Sequence, residues 1–176
     1  MGDMVASTET RTHASSGDFA SEAALVDAFV SKLKRGRTPF GKLDLVTEWD
    51  YRSGSVDVLA RDRKCTLVAF EAKLTNWRRA FQQAFRNTAY ANRVYVLLPS
   101  KVSHRAMKDA AEFAFRGIGL CSFDGRTVDV LLEAQDHDPL LRWIRERAHA
   151  HFDGLHAHTT RRSGQSRRSI LSSAQL

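Results

Sequence analysis

Three charged side chains stand where the sequence is otherwise apolar. Asp57 lies within Ser55-Val-Asp57-Val-Leu-Ala60, and Glu71 and Lys73 close the run Leu67-Val-Ala-Phe70-Glu71-Ala-Lys73. Strand alternation puts Leu67, Ala69, Glu71 and Lys73 on one face and Val68, Phe70, Ala72 and Leu74 on the other. The Cα atoms of Glu71 and Lys73 are then ~6.6 Å apart. Folding the two segments as a hairpin about residues 61–64 carries Asp57 to the Glu71 end, within a residue or two of register. Two carboxylates and an ammonium converge in an apolar strand pair. Buried acids are costly unless paired or metal-bound, and adjacent carboxylates suit a hard divalent cation such as Mg²⁺ (or Mn²⁺) that keeps several waters. The simpler account is a Glu71–Lys73 ion pair, with Asp57 an exposed acid near a turn.

The elements that must hold these residues can be read from periodicity. Phe19–Leu33 has apolar residues at 25, 26, 29, 30 and 33, a helical spacing, with Asp18 or Ser21 available as cap. Leu43–Trp49, Ser55–Ala60 and Cys65–Leu74 read as strands. Asn76–Asn92 reads as a helix whose stripe is Trp77, Ala80, Phe81, Ala84, Phe85 and Thr88, with Arg79, Gln83, Arg86 and Tyr90 on the other face. Arg93–Leu98 is a short apolar strand, and Lys101–Arg116 a helix stopped by Gly117. Ile118–Phe123 and Thr127–Leu132 form a hairpin about Asp124-Gly125. Asp138 and Pro139 open a last helix running to about His151. This order predicts a three-layer α/β/α sandwich with a central mixed β-sheet, including a right-handed crossover from the Glu71 strand through the helix to the strand at 96.

Charge adds a partner. Lys and Arg number 27 against 20 Asp and Glu, a formal net charge of +7. From Ala72 to Lys108 there are eight basic residues and no acid: Lys73, Arg78, Arg79, Arg86, Arg93, Lys101, Arg105 and Lys108. A polyanion suits such a segment. A solvated helix face neutralised by distant acids is the alternative.

Taken together, Ser55-Val-Asp57-Val-Leu-Ala60, Phe70-Glu71-Ala-Lys73, Trp77-Arg-Arg-Ala-Phe-Gln-Gln83-Ala and Arg93-Val-Tyr-Val-Leu-Leu-Pro99 resemble the PD-(D/E)XK nuclease superfamily, with its restriction-endonuclease-like fold, over roughly residues 19–133. The proline that names the motif is missing, since Val56 precedes Asp57. The resemblance implies that Asp57 and Glu71 bind the metal and that Lys73 orients or activates the attacking water. It implies an acid from the first helix, Glu22, and a Gln from the helix after the motif, Gln83, with Gln82 its competitor. Glu22 also fits the positive end of its own helix. The activity implied is Mg²⁺-dependent hydrolysis of DNA phosphodiester bonds. Arg78, Arg79, Arg86, Lys101 and Arg105 would meet backbone phosphates, and a homodimer would reach both strands. A non-cutting DNA-binding module, or a structural subunit of the same fold, is the alternative.

Other classes are disfavoured. No apolar run approaches the ~20 residues of a membrane span, and residues 1–16 lack the apolar core of a signal peptide. Cys65 and Cys121 have no zinc or redox spacing and are expected to pack as small hydrophobes in a reduced, cytoplasmic setting. The histidines at 149, 151, 156 and 158 read as surface residues, and Glu48 as a surface acid at a strand end, with a further site acid as the alternative. The expected organisation is a disordered tail over 1–16, one domain over 17–152 and a flexible basic tail over 153–176.

Overall fold

The computed structural model of the protein describes residues 18–52 and 54–171, with backbone only beyond His156. The expected tail over 1–16 lies outside the described residues. In chain order the elements are α1 (Glu22–Lys34), β1 (Asp44–Asp50), β2 (Ser55–Arg61), β3 (Leu67–Ala72), α2 (Trp77–Asn87), β4 (Arg93–Pro99), α3 (Ser100–Ala106), a 3₁₀ turn (Met107–Asp109), α4 (Ala110–Phe115), β5 (Gly119–Phe123), β6 (Val128–Leu132) and α5 (Arg142–Leu171).

The six strands lie side by side in sequence order. The β1–β2, β2–β3 and β5–β6 pairs are antiparallel, while β3–β4 and β4–β5 are parallel. A two-residue side-chain period gives each strand two faces, and both are covered. Leu25, Phe29, Val30 and Leu33 of α1 pack on one face with Val58, Val68, Phe70, Leu97 and Phe123. On the other, Trp77, Phe81 and Ala84 of α2, Phe113 of α4, and Ile144, Ala148 and Phe152 of α5 pack with Leu59, Leu67, Ala69, Val94 and Val96. The architecture is the three-layer α/β sandwich with a mixed sheet that the element order predicts.

Five expectations need correction. α2 ends at Asn87 rather than Asn92, because the Asn87 carbonyl accepts from both Tyr90 and Ala91 and the chain turns to give the Asn92 amide to Leu67. The helix over Lys101–Arg116 is split by the 3₁₀ turn, with Ala106 and Phe113 buried on either side of it. Asp138 and Pro139 do not open α5, because the segment before it is tied elsewhere: the amides of Gln135, His137 and Leu141 go to the carbonyls of Gly117, Asn92 and Ala89. α5 then continues past His151 to Leu171, anchored by Arg61, whose guanidinium meets Asp153 at 2.6 Å and lies over the Phe152 ring. Of the cysteines, Cys121 is buried as expected, but Cys65 sits exposed in the β2–β3 turn at φ 62°.

Candidate active site

The site forms where β2 and β3 run out of ladder. Their register pairs Val58 with Phe70, so one step further Asp57 stands across from Glu71. There the Asp57 side chain replaces the ladder, its Oδ2 accepting the Ala72 amide at 2.8 Å. The flanking valines go to opposite cores, Val56 to the α2 side and Val58 to the α1 side. β2 therefore breaks its two-residue alternation at Asp57, leaving that carboxylate at the lip between the layers, about one third exposed. On β1 the residue opposite is Glu48, held at φ 50° between the Thr47–Val58 and Trp49–Val56 pairs.

Glu71 and Lys73 part company. Glu71 still obeys strand alternation, turns toward α2 and is 1% exposed. β3 has ended by Lys73, and its side chain crosses to the α1 side. There Nζ lies 2.9 Å from Glu22 Oε2, 4.0 Å from Asp57 Oδ2 and 2.9 Å from the Ala72 carbonyl. The ammonium thus joins Asp57 to Glu22, which starts α1 behind the Ser21 cap. Glu22, Asp27, Thr47, Glu48 and Asp57 line an open cleft of about 410 Å³.

Glu71 is the chemically unusual member. Oε1 accepts from Asn87 Nδ2 at 2.6 Å, whereas Oε2 is buried without a hydrogen-bond partner. Burial, reinforced by the nearby Asp57 charge, pushes its carboxyl up to about 8, against smaller opposing effects of Asn87, Lys73 and Arg86. The Asn87 side-chain oxygen, Oδ1, in turn accepts a long 3.3 Å bond from the Tyr51 hydroxyl, which burial and Glu71 keep protonated.

Asp57, Glu71, Lys73 and Glu22 are brought together; Gln83 is adjacent but different. It lies one turn before Asn87 on α2, its Oε1 buried and without a partner, and the amide that reaches Glu71 is that of Asn87. Asn87 and Tyr51 are the residues the sequence reading missed. One signal was present: Asn87 falls in the Trp77, Ala80, Ala84 phase of α2, and the structure buries it where Phe85 was expected, leaving Phe85 39% exposed. A lone amide in an apolar stripe needs a buried partner.

The basic residues are exposed but not all unpaired. Arg78 stacks on the Trp77 ring and approaches Asp109 at 3.6 Å. With Arg105 and Lys108 it lines a groove of about 570 Å³ at the α2 N-terminus. Lys101 meets Asp18 at 3.7 Å, Arg79 is exposed on α2, and Arg86 stands apart beside Tyr51 and Tyr90.

Among the described residues no group of three or more His, Cys, Asp and Glu side chains forms a ready-made metal site. The residues nonetheless fit a hard, largely hydrated cation, which needs only one or two carboxylates. Asp57, the unpartnered Glu71 Oε2 and the Ala72 carbonyl are oxygen donors of that kind, and the orphaned buried oxygen is what such an ion satisfies.

Neither a protein-family model nor a curated protein matches the chain. Among solved structures it is similar to a protein of unknown function from Silicibacter pomeroyi, with a TM-score of 0.51 and 19% identity over 81% of this chain and 88% of that one. A repair endonuclease from Pyrococcus abyssi aligns with a TM-score of 0.33 and 16% identity over 61% of this chain and 47% of that one, so this chain spans less than half its length. The first likeness is one of fold alone, and the second is too slight to argue from. Among the described residues no helix is long and apolar enough to cross a membrane.

Proposed function

We propose that the protein is a divalent-metal-dependent nuclease that hydrolyses DNA phosphodiester bonds. The observation that carries this reading is the site itself: Asp57 and Glu71 opposed at the end of a strand pair, Lys73 at 4.0 Å from Asp57, and one Glu71 oxygen buried without a partner. Asp57, Glu71 and the Ala72 carbonyl would hold Mg²⁺ or Mn²⁺, which supplies charge neutralisation at a phosphate and acidifies a bound water. Asp57 also fixes its own position by accepting the Ala72 amide. Lys73, already oriented by Glu22, holds the attacking water and offsets developing negative charge. Arg78, Arg105 and Lys108 line a groove suited to backbone phosphates, which gives affinity and register without sequence readout.

The test is incubation with supercoiled, linear, single-stranded and branched DNA in Mg²⁺, Mn²⁺ or EDTA, for wild type and for Asp57→Asn, Glu71→Gln and Lys73→Ala. Cleavage in Mg²⁺ or Mn²⁺, absent in EDTA and lost in all three variants, supports the reading. Cleavage that persists in EDTA or in the variants refutes it. DNA binding with no cleavage in any metal points to a non-cutting module of the same fold.

A further inference from the structure

Behind Glu71 stands a short buried relay that the three motif residues do not include. Asn87 is 1% exposed, donates Nδ2 to Glu71 Oε1 at 2.6 Å, and accepts the Tyr51 hydroxyl on Oδ1. The two bonds fix the amide one way round. Turning it over would set the amide oxygen against the Glu71 carboxylate oxygen and lose the bond that Nδ2 donates. Glu71 is thereby left with one occupied oxygen and one bare one, and the bare one is Oε2. Tyr51 comes from the turn between β1 and β2, and Asn87 from the last turn of α2. Two separate elements thus converge on one carboxylate.

We infer that Asn87, held by Tyr51, is the positioning residue that presents Glu71 Oε2 as a single-oxygen ligand for the divalent cation. The inference rests on the nuclease reading and adds to it the residues that orient the ligand. Asn87 acts by occupying Oε1, so that the cation meets a carboxylate with one orientation and one free oxygen. Tyr51 acts only through Asn87. Partners that orient a metal ligand in this way are worth about 10–100-fold in metal affinity.

The experiment is a Mn²⁺ titration of the full chain, followed by calorimetry or by the loss of free-ion electron paramagnetic resonance signal. The proteins are wild type, Glu71→Gln, Asn87→Leu, Tyr51→Phe and the double variant, with unfolding midpoints taken in EDTA. Expected results are a weakening of roughly 10–100-fold in Asn87→Leu, a smaller loss in Tyr51→Phe, and a double variant no weaker than Asn87→Leu alone, since coupled residues do not add. In ¹⁵N spectra the Asn87 side-chain amide should shift on Mg²⁺ addition in wild type but not in Glu71→Gln. Wild-type Mn²⁺ affinity in Asn87→Leu, or fully additive losses in the double variant, overturns the inference. So does a Tyr51→Phe protein that loses thermal stability in EDTA yet binds Mn²⁺ as wild type does. If wild type and Glu71→Gln bind Mn²⁺ equally, the metal site and the nuclease reading fall with it. Glu71-dependent binding that ignores Asn87 overturns only the role given to Asn87.

Discussion

Replacing Glu71 by Gln should remove from the metal-free protein one titration that lowers wild-type stability as pH rises. In the folded chain burial and the Asp57 charge hold the Glu71 carboxyl at about 8, against an ordinary value of 4.5. Below pH 4.5 both folded and unfolded chains carry this proton, and the stability it confers is fully present. Between 4.5 and 8 the unfolded chain releases the proton and the folded chain keeps it, so stability falls as pH rises, by ~1.4 kcal/mol per pH unit at the steepest. Above 8 both states have lost it and the decline stops. From pH 5 to pH 8.5 the loss attributable to Glu71 comes to roughly 3–4 kcal/mol. Gln keeps the shape and the oxygen that Asn87 needs, and has no proton to lose. Denaturant unfolding in EDTA across pH 5–9 measures the effect as a difference between the two proteins, which cancels the other titrating groups. The Gln variant should gain on wild type steadily up to pH 8 and level off beyond it. Parallel curves across the whole range would refute the assigned environment of Glu71. Metal binding has the opposite sign: the cation must displace that proton, so Mn²⁺ affinity should rise about tenfold per pH unit up to pH 8 and then flatten.

Two further outcomes can be checked separately. DNA binding in Ca²⁺ should weaken steeply with salt, and Arg78→Ala with Arg105→Ala should lower the log–log slope by about 0.9 for each phosphate contact removed; an unchanged slope moves the DNA surface away from the groove at the α2 N-terminus. On α2, Phe81→Ala should cost about 3–5 kcal/mol in denaturant unfolding, because that ring is buried against Phe113. Phe85→Ala should cost less than ~1 kcal/mol, the ring being 39% exposed, and equal losses would contradict the helix phase.

Much of this arrangement was legible in residue order. Period-two and period-3.6 patterns are local, so the strands around Asp57, Glu71 and Tyr95 and the helices between them fall close to where periodicity puts them. The antiparallel hairpin follows from the short polar turn, and its register brings Asp57 opposite Glu71. What sequence did not carry was where alternation stops. Glu71 and Lys73 share a face only if β3 continues, and it ends at Ala72; Lys73 therefore turns to Glu22 and Asp57, and the simpler account of a Glu71–Lys73 ion pair is not what the structure builds. The Asn87 contact escaped for a related reason. Residue 87, and not Phe85, is the one buried at the end of α2, and which edge of an amphipathic stripe is covered depends on packing between layers. Asp138 and Pro139 carry a local helix-start signal, but the amides of Gln135, His137 and Leu141 around them bond to distant carbonyls, which no local window contains.

The site also contains a conflict between folding and chemistry that identifies its centre. A strand position flanked by Phe70 and Ala72, with 1% exposure, is one where an apolar side chain would serve the fold better than a carboxyl. Asn87 answers one Glu71 oxygen, but the other is left bare, and a buried unpaired acceptor costs about 1–3 kcal/mol. Asp57 deepens the expense by setting a second carboxylate across the strand pair, and Lys73 offsets it only in part, being engaged with Glu22 and Asp57. Each of these choices lowers the stability of the metal-free chain, and all of them converge on one oxygen. Places where a sequence violates the rules of its own fold in concert are where function is expected to sit. Here the group that would resolve every violation at once is a divalent cation bound between Glu71 and Asp57.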